Sequence, residues 1–105
     1  MPQYLVVGQH PPDLCPSANE TIRTLASEGG KEMPALAEKL GVKILATYVP
    51  MINHMVYVAV EADDADAVRE LAIQGRLAQW NTVEVHQTST LEEALTRVQD
   101  MPMVY

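Results

Sequence analysis

Phenylalanine is absent from this 105-residue chain, and tryptophan and cysteine occur once each. One cysteine forms no internal disulfide, so the fold rests on its apolar core and gives no sign of an oxidising compartment. Cations are scarce as well. Seven Lys and Arg against fourteen Asp and Glu leave a net charge of −7. Such a surface repels phosphate backbones and anionic headgroups, and the few aromatic rings offer little for bases to stack on. Nucleic acid and membrane surfaces are therefore not expected partners. No apolar run approaches the roughly 20 residues that span a bilayer, and no basic start leads into an apolar segment. The expected location is the cytoplasm.

What is present is an ordinary globular composition, 48% hydrophobic and 20% charged, in a chain sized for one domain over residues 1–105. Gln3–Gln9 is short, apolar and β-branched, and reads as a strand with apolar side chains on both faces. Pro11, Pro12 and Pro16 then exclude regular structure. Ser17 and Glu20 form a capping-box pattern ahead of an apolar stripe at three- and four-residue spacing that runs to Leu40. Gly29, Gly30 and Pro34 interrupt that stripe, and Pro34 predicts a kink or break. Residues 42–49 and 54–62 read as two further strands joined across Pro50. Asp63 and Asp64 cap a second helix that closes near Gly75, and residues 82–86 alternate as a fourth strand. Ser89 or Thr90 starts a last helix, followed by an apolar tail over residues 101–105.

The order β-α-β-β-α-β predicts a ferredoxin-like α+β fold with an antiparallel four-stranded sheet in the order 4-1-3-2, both long helices on one face, and an added C-terminal helix. This order turns sequence positions into neighbours. The first strand ends at His10 and its antiparallel partner begins at His54. The end of the second strand at Tyr48 and the start of the fourth at Trp80 and Asn81 belong to the same rim, and Cys15 follows closely. The sheet face without helices takes apolar side chains from the first strand, and from the third either Val56, Val58 and Val60 or Met55, Tyr57 and Ala59. Left in water it would form an apolar patch beyond roughly 400 Å², so a second copy is expected to cover it, as a homodimer or higher homo-oligomer.

The segments LVVGQH with the following Cys15-Pro16, then LAEKLGVK, VYVAVEADD and QWNTVEV, resemble the dimeric α/β-barrel superfamily over residues 3–96, and within it a small family of uncharacterised function. The resemblance implies a homodimer and a small-molecule pocket between sheet and helices. The superfamily's chemistry is varied, with haem-degrading and antibiotic-biosynthesis oxygenases, isomerases and ligand sensors among its members, so it implies no single reaction.

The residues themselves leave three readings open. The rim residues His10, Cys15, Tyr48, His54, Trp80 and Asn81, together with Tyr57, could line the pocket of a small-molecule-binding protein, oxygenase- or isomerase-like. His10, Cys15 and His54 could hold a transition metal or a haem, since two imidazoles and a thiolate suit copper, zinc or haem iron, although neither C-x-x-C nor H-x-x-x-H spacing is present. Or the rim is structural, in a non-catalytic sensing or assembly module, because a strand-to-helix corner also needs prolines and a buried cysteine is a small hydrophobe. Glu84 and His86, two apart on one strand, share a face and form a second candidate base and orienting partner.

Overall fold

The four apolar segments pair into a single antiparallel sheet in a computed structural model that describes residues 1–103. Strands β1 (Gln3–Gln9), β2 (Lys43–Tyr48), β3 (Met55–Glu61) and β4 (Thr82–Thr88) lie in the order β2-β3-β1-β4, which is the expected 4-1-3-2 read from the other edge. Every neighbouring pair is antiparallel. Helices α1 (Glu20–Leu40) and α2 (Ala65–Gln74) complete the ferredoxin-like α+β arrangement. A four-residue helix α3 (Leu77–Trp80) precedes β4, and α4 (Leu91–Gln99) follows it, capped by the Thr90 side chain on the Glu93 amide.

Strand alternation decides which side chains meet the helices. Tyr4 and Val6 of β1 and Val56, Val58 and Val60 of β3 are buried with Ala37 of α1 and Val68 and Leu71 of α2. Leu5, Val7, Met55, Tyr57 and Ala59 therefore occupy the other face, where they are half-buried. On β2 the register shifts at Leu45, between the pairs Ile44–Val60 and Ala46–Ala59. The extra residue reverses the alternation beyond it. Ile44 and Thr47 thus share the helix side, and Tyr48, paired with Tyr57, is turned to the open one.

Two local expectations are corrected. Asn19, not Ser17, caps α1: its side chain accepts from the Ile22 amide at 3.0 Å and its backbone is extended. Ser17 lies three residues before the first helical residue, beyond capping reach. Pro34 does not break α1, which continues through it for 21 residues. The carbonyl that Pro34 leaves without a donor belongs to Gly30, an exposed residue, so water can satisfy it.

The glycines of α1 have opposite roles. A Cβ on Gly29 would come within 2.5 Å of the Gly75 carbonyl oxygen, so Gly29 permits the close approach of α1 to the end of α2. A Cβ on Gly30 would meet nothing within 4 Å. Arg76, which takes the left-handed conformation (φ 69) after α2, closes the same junction by pairing with Glu28 at 2.9 Å and Glu32 at 3.4 Å. Gly29→Ala is therefore expected to destabilise by about 1–3 kcal/mol through overpacking, whereas Gly30→Ala stabilises by about 0.8–1 kcal/mol through helix propensity alone. Urea midpoints of the two variants, moving in opposite directions, check the pair.

Helix α4 buries no residue, and its Leu91, Leu95 and Val98 are exposed at helical spacing. Met101 and Met103 of the apolar tail are exposed too, while Val104 and Tyr105 lie outside the described residues. No helix among the described residues is long and apolar enough to cross a membrane.

Candidate metal centre

Three segments converge at the rim where β1 ends. His10 follows β1 directly, and its amide donates to the His54 carbonyl at 3.1 Å, extending the β1–β3 ladder by one bond. His54 itself ends a 3-10 turn over Met51–Asn53 in the left-handed conformation (φ 54, ψ 48), which a non-glycine residue adopts only at some cost. That conformation lets the chain turn sharply into β3. Cys15 ends another 3-10 turn, Pro12–Leu14, led by Pro11.

The loop bearing Cys15 is held by several hydrogen bonds. The Cys15 carbonyl accepts from the amides of Ala18 and Asn19, both at 2.9 Å. Arg23 reaches back from α1 to donate to the carbonyls of Pro16 at 2.8 Å and Ser17 at 3.3 Å, and Asn19 donates to that of Asp13 at 3.1 Å. These bonds, with three prolines limiting the backbone, hold the thiol in place against the rim.

Asn81 determines which nitrogen of His10 is available. Its side-chain Nδ2 donates to the Leu77 carbonyl at 3.0 Å, which turns its Oδ1 toward the imidazole. His10 Nδ1 lies 2.8 Å from that oxygen and must be the protonated nitrogen that donates to it. In the neutral imidazole the lone pair then belongs to His10 Nε2. That nitrogen is buried and has no hydrogen-bond partner among the described residues, and the same holds for His54 Nδ1. Burying an unpaired polar nitrogen costs about 1–3 kcal/mol, so two of them at one rim call for an explanation. An imidazole whose second nitrogen is tied to a carbonyl oxygen is the usual arrangement of a metal-ligating histidine.

The thiol is prepared in the same sense. The Ser17 hydroxyl donates to Cys15 Sγ at 3.0 Å. That bond and then the Ser17 backbone are the main groups that stabilise the thiolate against the opposing effect of burial, and the Cys15 pKa falls from 9.0 to about 6. Metal-free protein should therefore show the thiolate absorbance appearing with a midpoint near pH 6, and Ser17→Ala should move it upward. Between about pH 6 and 9.0 the unfolded chain holds the proton that the folded one has released. Stability from this group accordingly rises with pH across that window and is lost as pH falls toward 6. The difference in urea midpoint between wild type and Cys15→Ser should widen in the same direction.

One donor atom each from His10, Cys15 and His54 lie within 4.8 Å of one another. Donors on a tetrahedral zinc sit about 3.3–3.8 Å apart, given bonds of about 2.0–2.3 Å. A contraction of about 1 Å would thus bring all three onto one ion. The rings of His10 and His54 meet edge-on at 5.6 Å between centroids, and the buried Trp80 packs on His10 at 4.9 Å, limiting how far the imidazole can swing. A cavity of about 130 Å³ adjoins the three donors and is bounded also by Met51 and Met55.

Of the other candidate residues, Trp80 and Asn81 lie at this rim as expected. Tyr48 and Tyr57 do not. Both are on the open sheet face, Tyr48 at 65% exposure and Tyr57 donating its hydroxyl to the Met55 sulfur at 3.4 Å. Tyr57 alternates with Val56 and Val58, and the bulge at Leu45 carries Tyr48 to the same side. Glu84 and His86 also face the open side, opposite Val7 and Leu5 of β1. They approach to 3.6 Å while each stays more than half exposed, which makes them a surface pair. Sequence reasoning missed Ser17 as the donor to Cys15, and it placed Asn81 at the rim without its part in setting the His10 tautomer. The tripeptide Cys15-Pro16-Ser17 carried a signal for the first, because a proline after the cysteine favours a turn that brings the hydroxyl back.

Comparison with models of known protein families found no match, and comparison with curated proteins found none either.

Proposed function

We propose that the protein binds one thiophilic transition-metal ion, zinc or copper, through His10 Nε2, Cys15 Sγ and His54 Nδ1. The observation that carries this reading is the pair of buried, unpartnered imidazole nitrogens beside a thiol biased toward its anion. A thiolate with two neutral imidazoles is a donor set for zinc or copper rather than for magnesium or calcium. Three converging donors chelate a single ion, whereas a haem iron takes one or two axial ligands and needs a flat slot, so the haem alternative is the weaker. Three protein ligands leave a fourth position for water, substrate or a thioether, and a metal held in this way supplies Lewis acidity or an activated water. Titration of reduced protein with cobalt(II) should give one equivalent bound, with a thiolate-to-cobalt charge-transfer band that vanishes in Cys15→Ser. No binding, or binding unchanged in that variant, would overturn the reading.

The open sheet face supports a second part of the proposal, a homodimer. Leu5, Val7, Met55, Tyr57 and Ala59 form its apolar centre, and nothing within the described chain supplies a second layer over it. A second copy presenting the same face gives a self-complementary cover. Each copy carries −7, so charge opposes pairing and salt screens that opposition. Sedimentation should show a dimer whose association strengthens from about 20 mM to 300 mM salt. A monomer at micromolar concentration in high salt would refute it.

A further inference from the structure

A larger cavity, about 520 Å³, lies between α1 and the β2–β3 side of the sheet. Pro16, Val49 and Trp80 wall both this space and the smaller one at His10, Cys15 and His54, so the two adjoin. Ala26, Met33, Ile44, Val56 and Val58 are among its other walls, and no charged side chain lines it among the described residues. Small-molecule sites commonly measure about 300–1,000 Å³. Walls this apolar give water few hydrogen bonds and favour an apolar occupant.

The helix beside it is built to leave room. Gly30 and Pro34 are the two poorest residue types for a helix interior, they stand four residues apart on α1, and both line this cavity. Gly30 has no close contact that demands a glycine, since an added Cβ would meet nothing within 4 Å. A larger side chain there would strengthen the helix and occupy the opening. The cavity's volume is retained at the expense of helix propensity, which is expected where space itself has a use.

We infer that this cavity holds the apolar body of an amphiphilic small molecule whose single polar head, an oxygen or sulfur donor, takes the fourth position on the metal. The inference rests on the metal-binding reading above. It identifies the ligand class as a medium-length aliphatic or aromatic compound with one metal-coordinating end, entering past Gly30 with its head toward Trp80 and His10.

Calorimetry on the full chain, zinc-loaded and metal-free, with acetohydroxamate, octanohydroxamate and n-octanol as probes, tests this. Octanohydroxamate should bind the zinc-loaded protein at least about tenfold more tightly than acetohydroxamate, because its added methylenes leave water. n-Octanol should bind the loaded and metal-free proteins alike. Gly30→Leu, and independently Ala26→Leu one turn earlier, should reduce the octyl advantage to below about twofold while zinc stoichiometry stays at one. Circular dichroism confirms that each variant is folded. Equal affinity of the two hydroxamates for a protein that does hold zinc overturns this inference alone, as does an octyl advantage that survives both variants. Failure of zinc to bind the wild type overturns the metal centre and this inference together.

Discussion

His10→Ala and His54→Ala should each weaken zinc binding by about two to three orders of magnitude, an effect matched only by loss of the Cys15 thiolate. Structural zinc sites with four protein ligands bind with about 10–16 kcal/mol, so one ligand accounts for roughly 2.5–4 kcal/mol. The effect is separable from damage to the fold. Zinc at a hundred times its dissociation constant should stabilise wild type by about 2.7 kcal/mol, and the alanine variants should show almost none of that shift, whatever their metal-free melting temperature. Affinity should also depend on pH in a particular way. With the thiol lowered to about 6, the sulfur imposes little proton competition above that pH and a growing one below it. Ser17→Ala, by returning the thiol toward its ordinary range, should move the onset of that competition upward. A zinc affinity indifferent to both histidines would place the ion elsewhere.

Asn81→Leu should lower stability and metal affinity together. Asn81 is buried and makes two bonds, accepting from His10 Nδ1 at 2.8 Å and donating to the Leu77 carbonyl at 3.0 Å. Leucine fills a similar volume and leaves His10 Nδ1 unsatisfied, at about 1–3 kcal/mol for a buried group, while the Leu77 carbonyl keeps its bond from the residue-81 backbone amide at 3.1 Å. The expected loss is about 1–3 kcal/mol in urea unfolding. Metal affinity should fall further, by about 10–100-fold, because the imidazole is no longer held as the tautomer with Nε2 free. The backbone amide of residue 81, which closes the short α3 on the Leu77 carbonyl, is retained in the variant, so the turn that carries Trp80 should hold. A variant that lost stability but kept full zinc affinity would show Asn81 to be a packing residue and not a positioning one. The Gly8 backbone reinforces the site from the other side. A Cβ there would lie 3.1–3.3 Å from the Asn81 side chain, so β1 passes close against that side chain.

Much of this architecture was legible from residue order. Val56, Val58 and Val60 alternate with Met55, Tyr57 and Ala59 so regularly that β3 could be read directly, and Asp64 caps α2 as its position suggests, accepting from the Ala67 amide at 2.9 Å. The misreadings have specific causes. Ser17 and Glu20 fit a capping box, but Asn19 is an equally good cap three residues ahead of Ile22, and the Cys15 loop engages Ser17 elsewhere. Helix α3 is too short for apolar periodicity to register. The bulge at Leu45 leaves no mark in a run of residues that all suit a strand, yet it turned Tyr48 away from the rim.

By itself, the sequence determined the α+β fold, the strand order, and the meeting of His10 with His54 at one end of the sheet. Those follow from periodicity, turn chemistry and the limited ways in which four such strands connect, all of which are properties of local order and backbone geometry. Tertiary structure alone decided what that rim can do. Whether Cys15 turns inward, whether Ser17 caps a helix or stabilises a thiolate, which nitrogen of His10 is bare, and whether Gly30 opens onto a cavity each depend on side chains from segments distant in sequence. His10 and Asn81 are 71 residues apart, and one hydrogen bond between them sets the tautomer on which the proposed metal chemistry depends.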